Sequence, residues 1–104
     1  MKTYTLEELT DRNIGKKGTP ARDRFDREIE AEVRAYRLGE ILREERKRQN
    51  LTQRQLGEKA MIDERMVSKV ENGRSASFFA IDGILQALGI KATFDMGRLG
   101  RVAL

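Results

Sequence analysis

The stretch Leu51–Gly73, LTQRQLGEKAMIDERMVSKVENG, constrains the chain most, because helix starts, a helix stop and apolar spacing agree within it. Thr52 with Gln55 three residues later is a capping box, which satisfies backbone N–H groups that a helix start leaves orphaned. It predicts a helix over 53–60. Asp63 caps a second helix that stops at Asn72-Gly73, glycine taking the left-handed position after a helix without a Cβ clash. The chain here is therefore two short helices joined by a tight turn. Leu56, Ala60, Ile62, Val67 and Val70 follow the three-and-four spacing of faces turned to a shared core. Gly57 stands inside the first helix, where glycine costs roughly 1 kcal/mol against alanine, so its small size predicts a close approach of the second helix.

What is left over faces outwards. On the second helix these residues are Glu64, Arg65, Met66, Ser68 and Lys69. Arg65 is a long bidentate donor and Lys69 a point charge, at the end of a helix that would enter a major groove. Spacing alone leaves two readings open, since capped amphipathic helix pairs also occur in helical proteins that never touch DNA. The charge balance permits a nucleic-acid partner without requiring one: 21 Lys and Arg stand against 17 Asp and Glu, a net +4. Up to Arg37 there are nine basic and eight acidic residues, and after it twelve and nine, so the excess is +1 and then +3. The positive surplus lies mainly with the helix pair.

The residues Leu51-Thr52-Gln53, Leu56, Glu58-Lys59, Ile62, Val67-Ser68, Val70-Glu71-Asn72-Gly73 and Ala87-Leu88-Gly89 resemble the phage-repressor-like (Xre or Cro/C1-type) helix-turn-helix domains. The resemblance covers residues 38–90. It implies that Gln53 contacts phosphate or base, that Asp63, Glu64, Arg65 and Lys69 meet base edges or backbone, and that Arg46 and Glu71 form a structural ion pair. The candidate DNA-facing set is Thr52, Gln53, Asp63, Glu64, Arg65, Met66, Lys69, Asn72 and Arg74. Two features depart from the pattern. Met61 stands at the turn where the family usually has glycine. Asp63 and Glu64 put acid at the start of the recognition helix, either to accept from cytosine amino groups or to complement the helix dipole.

Other chemistry is narrowly bounded. The chain has no Cys and no His, which removes disulfides, thiolate nucleophiles, imidazole bases and the usual zinc sites. An enzyme would rely on carboxylates such as Glu7 and Glu8 or Glu44 and Glu45. Adjacent residues on a helix point about 100° apart and cannot flank one bond, so no enzyme, cofactor or metal is expected. No apolar run approaches the roughly 20 residues of a membrane span, and Met1-Lys2-Thr3-Tyr4 leads into a charged helix instead of a signal-peptide core. The expected location is cytoplasmic.

Outside the helix pair, Thr5-Leu6-Glu7-Glu8 is a further capping box, with Leu6 and Leu9 as the apolar face of a short helix. Ile14-Gly15-Lys16-Lys17-Gly18-Thr19-Pro20 is a turn or hinge. It lacks a preceding strand and the spacing of a phosphate-binding loop. Thr19 as cap and Pro20 at the first helical position start the next helix, and from there to Gln49 only Gly39 interrupts helical propensity. At about 100° per residue, Phe25, Ile29, Val33 and Tyr36 fall at about 0°, 40°, 80° and 20°, whereas Leu38, Ile41 and Leu42 fall at about 220°, 160° and 260°. The two stripes point in nearly opposite directions. A continuous helix leaves the Phe25 stripe for a partner, and a bend near Tyr36 to Gly39 folds it back. Leu38, Ile41, Leu42 and Leu51 are assigned to the core, and the loop Arg74 to Ser77 offers a cation and hydroxyls to phosphate. Phe78, Ile81, Ile84, Leu85 and Leu88 make the stripe of a closing helix that Gly89 stops. Ile90 to Met96 then alternates apolar and polar residues as a strand does. A lone strand has unpaired edges, so pairing with a second copy through Ala92, Phe94 and Met96 is expected, with 97–104 a basic, partly ordered tail.

The order of these parts resembles HigA-type antitoxins that pair with RelE-like toxins, and a strand after the last helix is also found in HipB-type antitoxins. The resemblance implies that the N-terminal half, through Phe25, Ile29, Val33 and Tyr36, neutralises a toxin ribonuclease while the remainder represses the operon. The expected fold is all-α: a five-helix-type repressor-like domain over 38–90, an N-terminal helical extension over 1–37, and a dimerisation strand and tail over 91–104. The alternative is a free-standing repressor without a toxin.

Overall fold

The computed structural model of the chain describes residues 15–104, so the capped helix expected at Thr5 lies outside the described residues. The chain forms two compact units, Met1–Val33 and Arg34–Leu104. The described part of the first unit begins at a turn. Thr19 Oγ1 donates to the Lys16 carbonyl at 2.7 Å and accepts from the Arg22 N–H at 3.3 Å, which caps helix α1 (Pro20–Arg48) with proline in the first turn as expected. Arg22 is buried, bonded to Asp26 Oδ1 at 3.1 Å and to the Gly15 carbonyl at 3.2 Å. Helix α1 is a single helix of 29 residues, so the chain takes the continuous alternative.

The second unit contains the C-terminal part of α1, then α2 (Gln53–Ala60), α3 (Glu64–Glu71) and α4 (Phe78–Leu88). Its core is Leu42, Leu56, Val67 and Ile84, each at most 1% exposed, with Ala60, Val70, Leu85 and Leu88 around them. Leu38, Leu51 and Ile62 pack against this core half-buried, as expected. Ile41 does not: it is 59% exposed. The inward face of α1 is the line of Gly39, Leu42 and Arg46, and Ile41 lies about 100° round from Leu42. Gly39 is in that line for steric reasons, because a Cβ there would come within 2.5 Å of the Val70 and Glu71 carbonyl oxygens. Only a residue without a side chain lets α1 cross the end of α3 so closely.

In α4, Ser77 is the cap, accepting from the Ala80 N–H at 3.2 Å, and Gly89 ends the helix. Phe78 was expected in its buried stripe but is 64% exposed. Ile84, Leu85 and Leu88 are buried. Phe78 is only about 20° from Leu85 in helical phase, but it is the first residue of the helix, and its exposure follows from that place at the helix end.

The C-terminal segment corrects the lone-strand expectation. Strand β1 (Thr93–Asp95) pairs antiparallel with β2 (Arg101–Ala103) of the same chain, with Phe94 opposite Val102. The tail is therefore a strand in its own right. A 3₁₀ turn over Gly97–Leu99 reverses the chain, and Asp95 Oδ1 accepts from the Gly97 N–H at 2.8 Å, the side-chain turn that aspartate favours. The Leu104 N–H reaches the Ala92 carbonyl at 2.9 Å, and both residues pack on the chain's own core. Ala92 is thus used internally, whereas Phe94 and Met96 are exposed. The architecture is mostly helical and repressor-like, with four α-helices among the described residues where a five-helix-type domain was expected, closed by a two-stranded hairpin.

Candidate nucleic-acid interface

The start of α2 is held by the complete capping box. Thr52 Oγ1 accepts from the Gln55 N–H at 3.0 Å, and the Thr52 N–H donates to Gln55 Oε1 at 2.9 Å. The turn to α3 is tight because Gly57 lies beneath it: a Cβ there would meet the Ile62 carbonyl at 2.9 Å and the Glu64 backbone at 3.4 Å. The expected close approach of the second helix is found. Met61 takes the left-handed conformation itself, at φ 60° and ψ 39°, and closes α2 through its N–H. The turn geometry therefore survives the replacement of the family's usual glycine. It carries backbone strain of about 1–2 kcal/mol, the ordinary cost of that conformation for a residue with a Cβ.

Asp63 caps α3, its Oδ1 accepting from the Arg65 N–H at 2.9 Å. That bond gives the aspartate a capping role, and the negative charges of Asp63 and Glu64 suit the positive end of the helix dipole. Arg65 and Lys69 are both exposed, one turn apart on α3. Neither side chain has a partner among the described residues, nor does the exposed Arg74 in the following loop. Met66 and Ser68 are half-buried. At the far end, Gly73 adopts φ 70° and abuts α1, where a Cβ would lie 2.7 Å from Tyr36 Cα.

Beneath this surface lies a buried carboxylate. The Glu71 side chain is fully buried, with Oε2 accepting from Arg46 Nε at 2.8 Å and Oε1 from Arg46 Nη2 at 3.0 Å. Arg46 also donates to the Leu51 carbonyl at 2.8 Å, so the expected structural pair also ties α1 to the start of α2. Gln53 Nε2 approaches Glu71 Oε1 at 3.4 Å, which holds Gln53 at the edge of the site. Arg43, which sequence reasoning missed, reaches Glu71 Oε1 at 3.4 Å and Asn72 Oδ1 at 2.9 Å. Asn72 in turn donates to Ser68 Oγ at 3.3 Å. Gln49, also missed, joins Glu45 at 2.9 Å to the Leu88 carbonyl at 2.8 Å. Hydrogen bonds from Arg48 and Gln49 hold the Glu45 carboxyl down at about 2, and a hydrogen bond to Glu40 raises the Tyr36 hydroxyl. Both partners of Arg43 lie far along the chain, so nothing local marks it in the sequence; the bond of Gln49 to Glu45 is local, but its tie to the Leu88 carbonyl is not.

Among the described residues no cluster of His, Cys, Asp or Glu is able to hold a metal ion, and no helix is long and apolar enough to cross a membrane. Two capped helices at a tight turn, the second displaying unpaired Arg and Lys, define a helix-turn-helix DNA-binding module. A helix-turn-helix family model matches residues 42–94, just over half of the 104 residues. The chain belongs to that family, the Cro/C1-type or phage-repressor-like domains, and is a DNA-binding regulator of the Xre type. Comparison with curated proteins and with solved structures gave no match.

Proposed function

We propose that this regulator is the antitoxin of a type II toxin–antitoxin pair. Residues 1–37 neutralise a RelE/HigB-like ribonuclease toxin, 38–90 bind the operator of its own operon, and 91–104 join two copies into a homodimer. The observation that carries this reading is the apolar stripe on α1 outside the matched region: Ile29, Val33 and Tyr36 are 43%, 44% and 56% exposed, with Phe25 half-buried in the same row. Burial of each such side chain on a partner is worth about 1.5–3 kcal/mol, enough in combination to anchor an interface. On the DNA side, Arg65 and Lys69 are the base or phosphate donors and Arg74 a phosphate donor. Phe94 and Met96 on the hairpin supply the apolar contact between copies.

The test uses the full chain with Ile29→Glu and Val33→Glu together, two changes at exposed helical positions that leave the core intact. Rescue of growth from the RelE/HigB-like product of an adjacent gene is measured beside operator binding. Rescue should fail while DNA binding persists. Arg65→Ala should do the reverse, weakening operator binding by about 1–3 kcal/mol and leaving rescue intact. Undiminished rescue by the doubly charged variant would remove the stripe from the inhibitory face. A wild-type chain that binds its operator but neutralises no adjacent product is a free-standing repressor.

A further inference from the structure

Arg43 sits on α1 one turn beyond Gly39, where the helix crosses the end of α3. Its guanidinium is anchored on one side by the buried Glu71 carboxylate at 3.4 Å, and its Nη2 meets Asn72 Oδ1 at 2.9 Å. A guanidinium has donors only. Asn72 must therefore turn its oxygen towards Arg43, which directs its NH2 group the other way. One amide N–H goes to Ser68 Oγ at 3.3 Å, and the second has no partner within the described residues. Asn72 is exposed and is the C-terminal cap of α3.

The polarity matters at this place. The C-terminal end of a helix carries partial negative charge, and a phosphate offers acceptors only. An amide free to rotate would present its carbonyl oxygen to the anion half the time, adding repulsion to an already unfavourable dipole. With the oxygen occupied by Arg43, only the NH2 group is left to meet a phosphate. We infer that Arg43 is a positioning residue for DNA binding: held by Glu71, it locks the Asn72 amide so that a neutral donor is preset for the DNA backbone at the end of the recognition helix. This rests on Asn72 lying at the DNA interface, as the functional reading above has it. The arrangement leaves Arg43 itself engaged with two protein acceptors instead of with the nucleic acid.

A double-mutant cycle tests the inference on a duplex selected by the wild-type chain from a randomised pool. Arg43→Met and Asn72→Ala are measured singly and together, with the salt dependence of each. Glu71 keeps both bonds to Arg46 in every variant, so the fold persists, and thermal unfolding verifies this. Each single change should weaken binding about tenfold, the size of one hydrogen bond to a charged group, and the double variant should bind no worse than the weaker single one. Asn72→Asp, which keeps an oxygen for Arg43 but has no donor, should lose at least as much. The slope of log affinity against log salt should be unchanged by Arg43→Met. Additive losses would reduce Arg43 to a general structural role, and a slope smaller by about 1 would make it a phosphate contact; either overturns the inference. A harmless Asn72→Ala overturns it too, while the family's DNA binding stands. Failure of the wild-type chain to select any duplex would instead refute DNA binding itself.

Discussion

Replacing a helix-interior glycine by alanine ordinarily stabilises a protein by about 1 kcal/mol. At Gly39 the sign should reverse. A Cβ there falls 2.5 Å from two carbonyl oxygens, those of Val70 and Glu71, and 2.8 Å from the Glu71 carbonyl carbon. Carbon–oxygen contacts are comfortable from about 3.3 Å, so α1 has to retreat from α3 by roughly 0.8 Å. Main-chain carbonyls in a helix end have no rotamer with which to yield. Overpacking of this kind costs about 1–3 kcal/mol, and the retreat also lengthens the Arg46–Glu71 bonds, which are 2.8 and 3.0 Å. Against the propensity gain, the net expectation for Gly39→Ala is a loss of about 1 kcal/mol, or a fall in Tm of roughly 4–8 °C for a domain of this size. Urea unfolding followed by circular dichroism measures it. Ala31→Gly, at an exposed position of the same helix, is the control and should lose about 1 kcal/mol from propensity alone. If Gly39→Ala proves as stable as wild type while the control behaves normally, the close crossing of α1 and α3 is not what selects glycine.

Arg46→Met should cost about 3–5 kcal/mol, because it leaves the fully buried Glu71 carboxylate with only Arg43 and Gln53, each at 3.4 Å. Adding Glu71→Leu should recover most of that loss in the same urea assay, and a single-variant loss below about 1 kcal/mol would sink the argument. Met61→Gly should stabilise the chain by about 0.5–1 kcal/mol, since the side chain is 85% exposed and its backbone is left-handed. A lower unfolding midpoint in that variant would mean that the methionine side chain contributes contacts outweighing the strain.

The helix pair was legible in the sequence because its signals are local. The Thr52–Gln55 box, the Asp63 cap, the Gly73 and Gly89 stops and the spacing of Leu56, Val67 and Val70 rest on bonds or angles within about one helical turn, which the order of residues alone determines. Arg65 and Lys69 were legible for the same reason: a helix of known phase leaves them outside. What only the tertiary structure decided depends on contacts across long separations. Helical phase puts Ile41 and Leu42 only about 100° apart, and the crossing at Glu71 decided which of them is buried. Gly39 reads as a weak point in a helix until α3 is placed against it. Arg43 is one cation among many until Glu71 and Asn72, nearly thirty residues on, are brought to its guanidinium. The hairpin is the sharpest case. Alternation marked a strand at Phe94, but the choice between a second copy and the chain's own tail lay in a short 3₁₀ reversal that carries Val102 back beside it. Edge pairing is satisfied by any strand within reach, and only the folded chain determines which one reaches it.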